Sequence, residues 1–198
     1  MIEVEKKFLV EPEDIERIVK GAEFLGEKTN KDTYYDMEDF KLMKQDIYLR
    51  ERNGKYELKI GVRRKETRGV ISTYRELNSE DGIKRELEIS ERGELSELLG
   101  KHSYQPFGSW TTTRKQYRSG EFGIDIDSVD FGYDVVEVEL EVGDDSEVPG
   151  AIQKILAFAS ELGLTNSPPT GKVSVYLERF YPEKNAEIRK AWDEFHNS

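Results

Sequence analysis

The chain has 198 residues, with 41 acidic against 30 basic side chains and a formal net charge of -11. That field repels nucleic-acid phosphates and anionic membranes unless local basic clusters override it. There is no cysteine and the histidines are His102 and His196, which excludes disulfides and thiolate chemistry and argues against His-rich metal sites and His-based triads. Charged residues make up 36%, above the roughly 25% of an average globular domain, yet 11% aromatics and recurrent apolar alternation are enough for a core. No apolar run approaches the roughly 20 residues of a membrane span, and the N-terminus lacks a signal peptide's apolar segment. The expectation is a single cytosolic domain over residues 1–198, monomeric, with no nucleic-acid or membrane partner.

In chain order, Ile2 to Leu9 alternates and reads as a strand. Pro12 suits the first position of a helix carrying Ile15, Ile18, Val19 and Ala22. Ser79 to Leu99 suggests one or two short helices through Ile83, Leu87, Leu95, Leu98 and Leu99. A further helix follows Val148, with Pro149 at its start, Ile152, Ile155, Leu156, Ala159 and Leu162 at helical spacing, and Gly163 as its stop. The stretch Lys172 to Leu177 alternates and reads as a late strand, with Lys172, Ser174 and Tyr176 on one side. A polar terminal helix is expected at about 183–196. Between the helices most of the chain has a period of two.

Turn chemistry assigns the strand faces. Asn53-Gly54 is a strong two-residue hairpin signal and sets Arg52 opposite Lys55, Arg50 opposite Glu57 and Tyr48 opposite Lys59. One face of that hairpin is nearly all ionic, and its reverse (Ile47, Leu49, Tyr56, Leu58, Ile60) is largely apolar. Ser119-Gly120 as a second such loop sets Arg114 opposite Asp125 and Thr112 opposite Asp127. A third reversal at Asp130-Phe131-Gly132-Tyr133 leads into a strand with Glu137, Glu139 and Glu141 on one side and Val136, Val138, Leu140 and Val142 on the other. The first strand repeats this, with Glu3, Glu5 and Lys7 against Ile2, Val4 and Phe8.

A strand alternating apolar with charged residues is ordinarily half-buried with a solvated outer face. Here, however, like charges stack at i and i+2, as in Glu3/Glu5, Glu137/Glu139/Glu141 and Arg50/Arg52. A surface made only for solubility intersperses signs, because like neighbours repel. Clustered carboxylates become tolerable when a hard divalent cation fills the gap. Antiparallel strands with one ionic face each can close into a barrel with an ionic lumen, the apolar faces turned outward under helices. Such a lumen suits a polyphosphate chelated to a cation, with guanidinium groups gripping phosphate oxygens in pairs.

The blocks that carry this pattern resemble a known family. Glu3-Val4-Glu5-Lys6-Lys7 fits the E-x-E-x-K signature of the CYTH superfamily, the triphosphate tunnel metalloenzymes. Asp32-Thr33-Tyr34-Tyr35-Asp36, Leu49-Arg50-Glu51-Arg52, Tyr56-Glu57-Leu58-Lys59, Tyr74-Arg75-Glu76-Leu77 and Arg114-Lys115 follow in order. Asp125-Ile126-Asp127 through Asp130-Phe131-Gly132-Tyr133, Glu137-Val138-Glu139 and Lys172-Val173 through Tyr176-Leu177 complete the set. Within the superfamily these blocks are most similar to the thiamine-triphosphatase branch.

The resemblance implies an α+β fold: a closed antiparallel tunnel of about eight strands with an ionic lumen and helices packed outside. It implies hydrolysis of thiamine triphosphate to the diphosphate and phosphate with Mg²⁺, Mn²⁺ being the alternative ion. By position, Glu3, Glu5, Asp125, Glu137 and Glu139 match the family's metal acids. Lys7, Arg50, Arg52, Lys59, Arg114 and Lys172 match its triphosphate-binding bases, and Lys59 and Glu76 are the catalytic candidates. Tyr48 stands where vertebrate members carry Trp and is the expected ring contact to the organic group. Inorganic tripolyphosphate hydrolysis, an adenylyl cyclase of the same superfamily and a non-enzymatic polyphosphate binder stay open as alternatives. Asp127 and Asp130 are candidate turn-formers, and Trp110 and Trp192 candidate packing residues. His102 is read as exposed, Arg63-Arg64-Lys65 as a solvated loop, and Asn166 to Gly171 as a loop.

Overall fold

The computed structural model describes residues 2–62, 71–164 and 171–197, the side chains of 195–197 excepted. In chain order its elements are β1 (Ile2–Phe8), α1 (Ile15–Ile18), β2 (Glu23–Asp36), β3 (Ile47–Arg52), β4 (Lys55–Gly61) and β5 (Ser72–Leu77). They continue with α2 (Glu80–Glu86), α3 (Leu95–Lys101), β6 (Gln105–Ser119), β7 (Phe122–Val129), β8 (Tyr133–Val142), α4 (Val148–Glu161), α5 (Lys172–Phe180) and α6 (Pro182–Asn197). The eight strands close into an antiparallel ring in the order β1-β5-β4-β3-β2-β6-β7-β8, as the alternating faces require.

The β3–β4 hairpin has the expected register, Arg52 opposite Lys55 through Tyr48 opposite Lys59. Asn53 and Gly54 both take positive φ, 50° and 82°, the backbone a two-residue loop of this hand needs. The β6–β7 loop differs from expectation. Ser119 pairs with Phe122, so Gly120 at φ 60° and Glu121 form the loop, and Arg114 faces Asp127 while Gln116 faces Asp125. The slip is two residues, an even number, so every side chain keeps its face. The Asp130 turn is as read: Gly132 sits at φ 81°, and the Asp130 carboxylate accepts a hydrogen bond from the Thr111 amide at 2.9 Å.

Outward faces are apolar and covered. Val4, Phe8, Ile124, Val136 and Val138 pack with Ile152, Ile155 and Ala159 of α4. Leu49 and Leu58 pack with Ile83 of α2 and with Leu95, Leu98 and Leu99 of α3. Burying each such aliphatic side chain contributes about 1.5–3 kcal/mol, so these layers hold the ring closed. The helix expected after Pro12 is shorter than its apolar spacing suggests. A 3-10 turn at Pro12–Asp14 runs into the four-residue α1, and Gly21 at φ 81° lies just beyond.

Two corrections concern the lumen. The late strand expected at Lys172–Leu177 is the helix α5. Its residues satisfy both periods, since Val173, Tyr176, Leu177 and Phe180 fall on one helical stripe just as Val173, Val175 and Leu177 alternate. The ring is already closed by β2, whose 14 residues pair with β6 over most of their length, so no sheet edge remains to recruit a ninth strand. The lumen is also not ionic throughout. Tyr34, Trp110, Val129, Tyr133 and Val135 share faces with Arg50, Asp32 and Asp127, and they form a buried cluster with Val173 and Leu177 of α5. At Gly108 an added Cβ would lie 2.6 Å from the Tyr176 ring, so α5 approaches the β6 backbone where no side chain intervenes. The helix therefore stops one end of the ring.

Candidate active site

The inner faces of β1–β6 and β8 and the first residues of α5 enclose a cavity of about 710 Å³ including its open mouth. All six expected bases line it: Lys7, Arg50, Arg52, Lys59, Arg114 and Lys172. Each base is held by an acid. The Arg52 guanidinium forks onto Asp32 at 2.6 and 2.7 Å, and Arg50 donates to Glu57 at 2.7 Å and to the Tyr34 hydroxyl at 3.2 Å. Lys59 sits between Glu3 and Glu76, 2.8 Å from each, which fixes the inward face of Glu76 that turn counting leaves open. Lys7 pairs with Glu5 and lies 3.7 Å from Glu137. Arg114 is surrounded by Asp125, Asp127 and Glu137, and Lys172 reaches Asp127 at 2.5 Å and Glu137 at 2.7 Å from the start of α5.

The expected metal acids fall into two groups. Glu3, Glu5 and Glu137 line the cavity; Asp125 and Glu139 share that inner surface but stand outside the lining. Burial works against the Glu137 carboxylate, but Lys172, Lys7 and Arg114 outweigh it and hold its pKa well below the usual range. Glu139 is the opposite case. Burial, with Asp125, Glu3 and Glu137 nearby and only Arg114 in opposition, pushes it up to about 8. Among the described residues the Glu139 side chain makes no hydrogen bond or ion pair. Nor do three acids converge there in a ready cation cage, because the carboxylates turn to the bases instead. The donor set still fits a hard cation: several carboxylates share one inner surface, and among the described residues the half-buried Glu139 has no base within ion-pair reach.

The cavity lining also includes Tyr34, Tyr48 and Tyr74, with Val173 and Ser174 of α5. The Tyr48 hydroxyl donates to Asp46 at 3.0 Å, and its ring meets Tyr74 edge-on at 6.0 Å. Lys59 lies 5.3 Å from the centre of the Tyr74 ring. Turn counting missed Tyr34, Tyr74, Asp32 and Asp127 as site residues. All four stood in the quoted blocks: Asp127 shares a strand face with Asp125, whereas the faces of Asp32, Tyr34 and Tyr74 follow only from strand pairing. Asp127 is no turn-former, since its side chain is fully buried against two cations.

Other candidates fall away. Glu141 is exposed opposite Glu3. Trp110 is buried against the Tyr34 ring at 4.7 Å, a packing role. His102 is half-buried rather than exposed, with Glu91 3.0 Å away. Arg63-Arg64-Lys65 and all but the last residue of the Asn166 to Gly171 loop lie outside the described residues. Among the described residues no helix is long and apolar enough to cross a membrane.

Comparison with known proteins agrees with this geometry. The chain is 35% identical over 205 residues to the human thiamine-triphosphatase, covering 92% of this chain and 87% of that protein. It is 33% identical over 204 residues to the thiamine-triphosphatase of Macaca fascicularis, with the same coverage. The fold is similar to that of the PH1819 protein from Pyrococcus horikoshii OT3, with a TM-score of 0.67 at 23% identity over 89% of this chain and 99% of that one. It is also similar to HpAC1 from Hippeastrum, described as having a dominant triphosphatase activity, with a TM-score of 0.58 at 17% identity over 89% and 96% of the two chains. The model of the CYTH domain matches residues 1–167, which include all eight strands, and the chain belongs to the CYTH family.

Proposed function

We propose that this protein hydrolyses thiamine triphosphate to thiamine diphosphate and phosphate with Mg²⁺. The observation that carries the reading is one cavity in which six bases face an acidic surface and three tyrosines form the adjoining wall. The 33–35% identity to thiamine-triphosphatases supports the choice of organic group.

In this reading Lys7, Arg50, Arg52, Arg114 and Lys172 bind the phosphate oxygens, and their acidic partners keep them aligned until substrate arrives. Glu3, Glu5, Asp125, Glu137 and Glu139 would hold the cation, which when bound supplies positive charge to the phosphate oxygens. Lys59, clamped between Glu3 and Glu76, is the catalytic cation at the reacting phosphoryl group, and Glu76 keeps it oriented. Phosphoryl transfer to water needs positioning and charge stabilisation more than a covalent nucleophile, which matches a site built of ion pairs. Tyr48 and Tyr74 offer ring faces to the cationic thiazolium.

The test is phosphate release from thiamine triphosphate, tripolyphosphate and ATP, side by side, with and without Mg²⁺. The expected result is Mg²⁺-dependent turnover with the highest kcat/KM on thiamine triphosphate. A preference for tripolyphosphate would instead make it an inorganic triphosphatase, and no turnover on any of the three would leave a polyphosphate binder.

A further inference from the structure

Asp127 is neither among the expected metal acids nor a member of the cavity lining, yet both of its carboxylate oxygens are engaged by cations. Its side chain has no exposure. One oxygen accepts from Arg114 Nε at 2.6 Å and the other from Arg114 Nη2 at 2.6 Å, and Lys172 Nζ lies 2.5 Å from that second oxygen. The first partner belongs to the barrel wall, on β6, directly opposite Asp127. The second begins α5, the helix that stops the ring. A single buried carboxylate thus ties two expected phosphate-binding cations from two elements into one frame.

We propose that Asp127 is a positioning residue that sets Arg114 and Lys172 for phosphate binding and latches the start of α5 to the barrel. The proposal rests on the reading of the cavity as a triphosphate site. Arg114 donates the Nε edge of its fork to Asp127 and directs Nη1 to Asp125, so the Asp127 side fixes the guanidinium plane. A planar fork held on one edge keeps its remaining donors aimed, whereas an unheld guanidinium must be ordered at each binding event. Lys172 stands on the first residue of α5 beside Gly171, with only the flexible lysine stem to define its reach. Asp127 and Glu137 are the anchors on the barrel that determine where its ammonium sits. Since Asp127 lies outside the acids that would hold a cation, its grip does not depend on theirs.

The experiment uses the full chain and two readouts. Metal-free tripolyphosphate binding is measured by calorimetry, and KM and kcat are measured on thiamine triphosphate, for wild type, Asp127→Asn, Lys172→Met and the double variant. The expected result is that Asp127→Asn raises both the tripolyphosphate Kd and the KM at least fivefold. In the Lys172→Met background it should add less than it does in wild type, because only Arg114 is then left for it to position. A merely structural role would lower the folded fraction and hence apparent kcat, with KM and Kd unmoved, and would overturn the proposal. Multiplicative losses in the double variant, or tighter tripolyphosphate binding by Asp127→Asn, would overturn it as well. If Asp127→Asn does not fold, Asp127→Asn/Arg114→Met/Lys172→Met removes both stranded cations with their partner. Binding equal to that of Arg114→Met/Lys172→Met then supports the proposal, and a further fivefold loss overturns it. Failure of wild type to hydrolyse any triphosphate would sink the hydrolase reading, while the binding measurements would still decide on Asp127.

Discussion

At Glu139, burial and the neighbouring Asp125, Glu3 and Glu137 carboxylates, opposed by Arg114, lift the pKa from 4.5 to about 8. Between those two values the folded state holds a proton that the unfolded chain has released, so the metal-free protein loses stability as pH rises through that window. Glu139→Gln should abolish this loss. Its unfolding temperature at pH 8 should exceed that of wild type by several degrees, at about 2–4 °C per kcal/mol for a chain of this size, while the two converge near pH 5. Equal slopes of unfolding temperature against pH would show that Glu139 is solvated. The same variant should lose Mg²⁺-dependent turnover. Tyr48 makes a second prediction at this scale. It is the aromatic that hairpin counting already placed beside Arg50 and opposite Lys59, and the structure has it on the cavity wall. Tyr48→Ala should cost thiamine triphosphate about 0.5–2 kcal/mol more in kcat/KM than tripolyphosphate, the size of a partly desolvated cation-π contact. Equal losses would make Tyr48 a packing residue held by Asp46 and Tyr74.

At the scale of elements, the helix α5 decides how the lumen ends, and Gly108 decides how closely α5 can sit. An alanine Cβ there would come within 2.6 Å of Tyr176 Cε1 and 3.2 Å of Trp110. Gly108→Ala should therefore destabilise by about 1–3 kcal/mol, the usual cost of overpacking, seen in chemical denaturation. It should also raise the KM for triphosphate, since Lys172 rides on the displaced helix; an unchanged KM with lowered stability would separate α5 from the site. This element is also where sequence reasoning failed. Turn residues with positive φ, such as Asn53-Gly54, and strict alternation, as in Glu137 to Val142, have one structural solution, and those strands and faces were legible. An apolar alternation such as Val173, Val175 and Leu177 has two, and the choice is made by the closed ring, which is a tertiary fact. The slip of two residues at Gly120 was invisible to parity counting for the same reason that it was harmless. The apolar lumen end is hidden in the sequence because no single strand shows where Val129, Tyr133 and Val135 meet. Only the ring shows that they share an inner surface with Asp127.

Across the whole molecule, the bases in the lumen of this acidic protein are paired within it. Lys7, Arg50, Arg52, Lys59, Arg114 and Lys172 each have an acidic partner, so a phosphate must displace carboxylates to reach them and a cation must draw carboxylates away from them. Each ligand bound alone strands the groups it has unpaired in a low-dielectric interior, a cost of several kcal/mol per unpaired buried ion. Bound together, the cation and the triphosphate engage both sets and leave neither stranded. Their binding should therefore be strongly cooperative, and by linkage each should tighten the other by the same factor. In thermal unfolding, Mg²⁺ alone and tripolyphosphate alone should each shift the transition little, and the two together by more than the sum of the separate shifts. Glu137→Gln should reduce the joint shift and, because Lys7, Arg114 and Lys172 lose an internal competitor, increase the shift with tripolyphosphate alone. Additive shifts in wild type would mean that the ion pairs seen here do not compete with ligands, and that the acids and bases of the lumen act as independent sites.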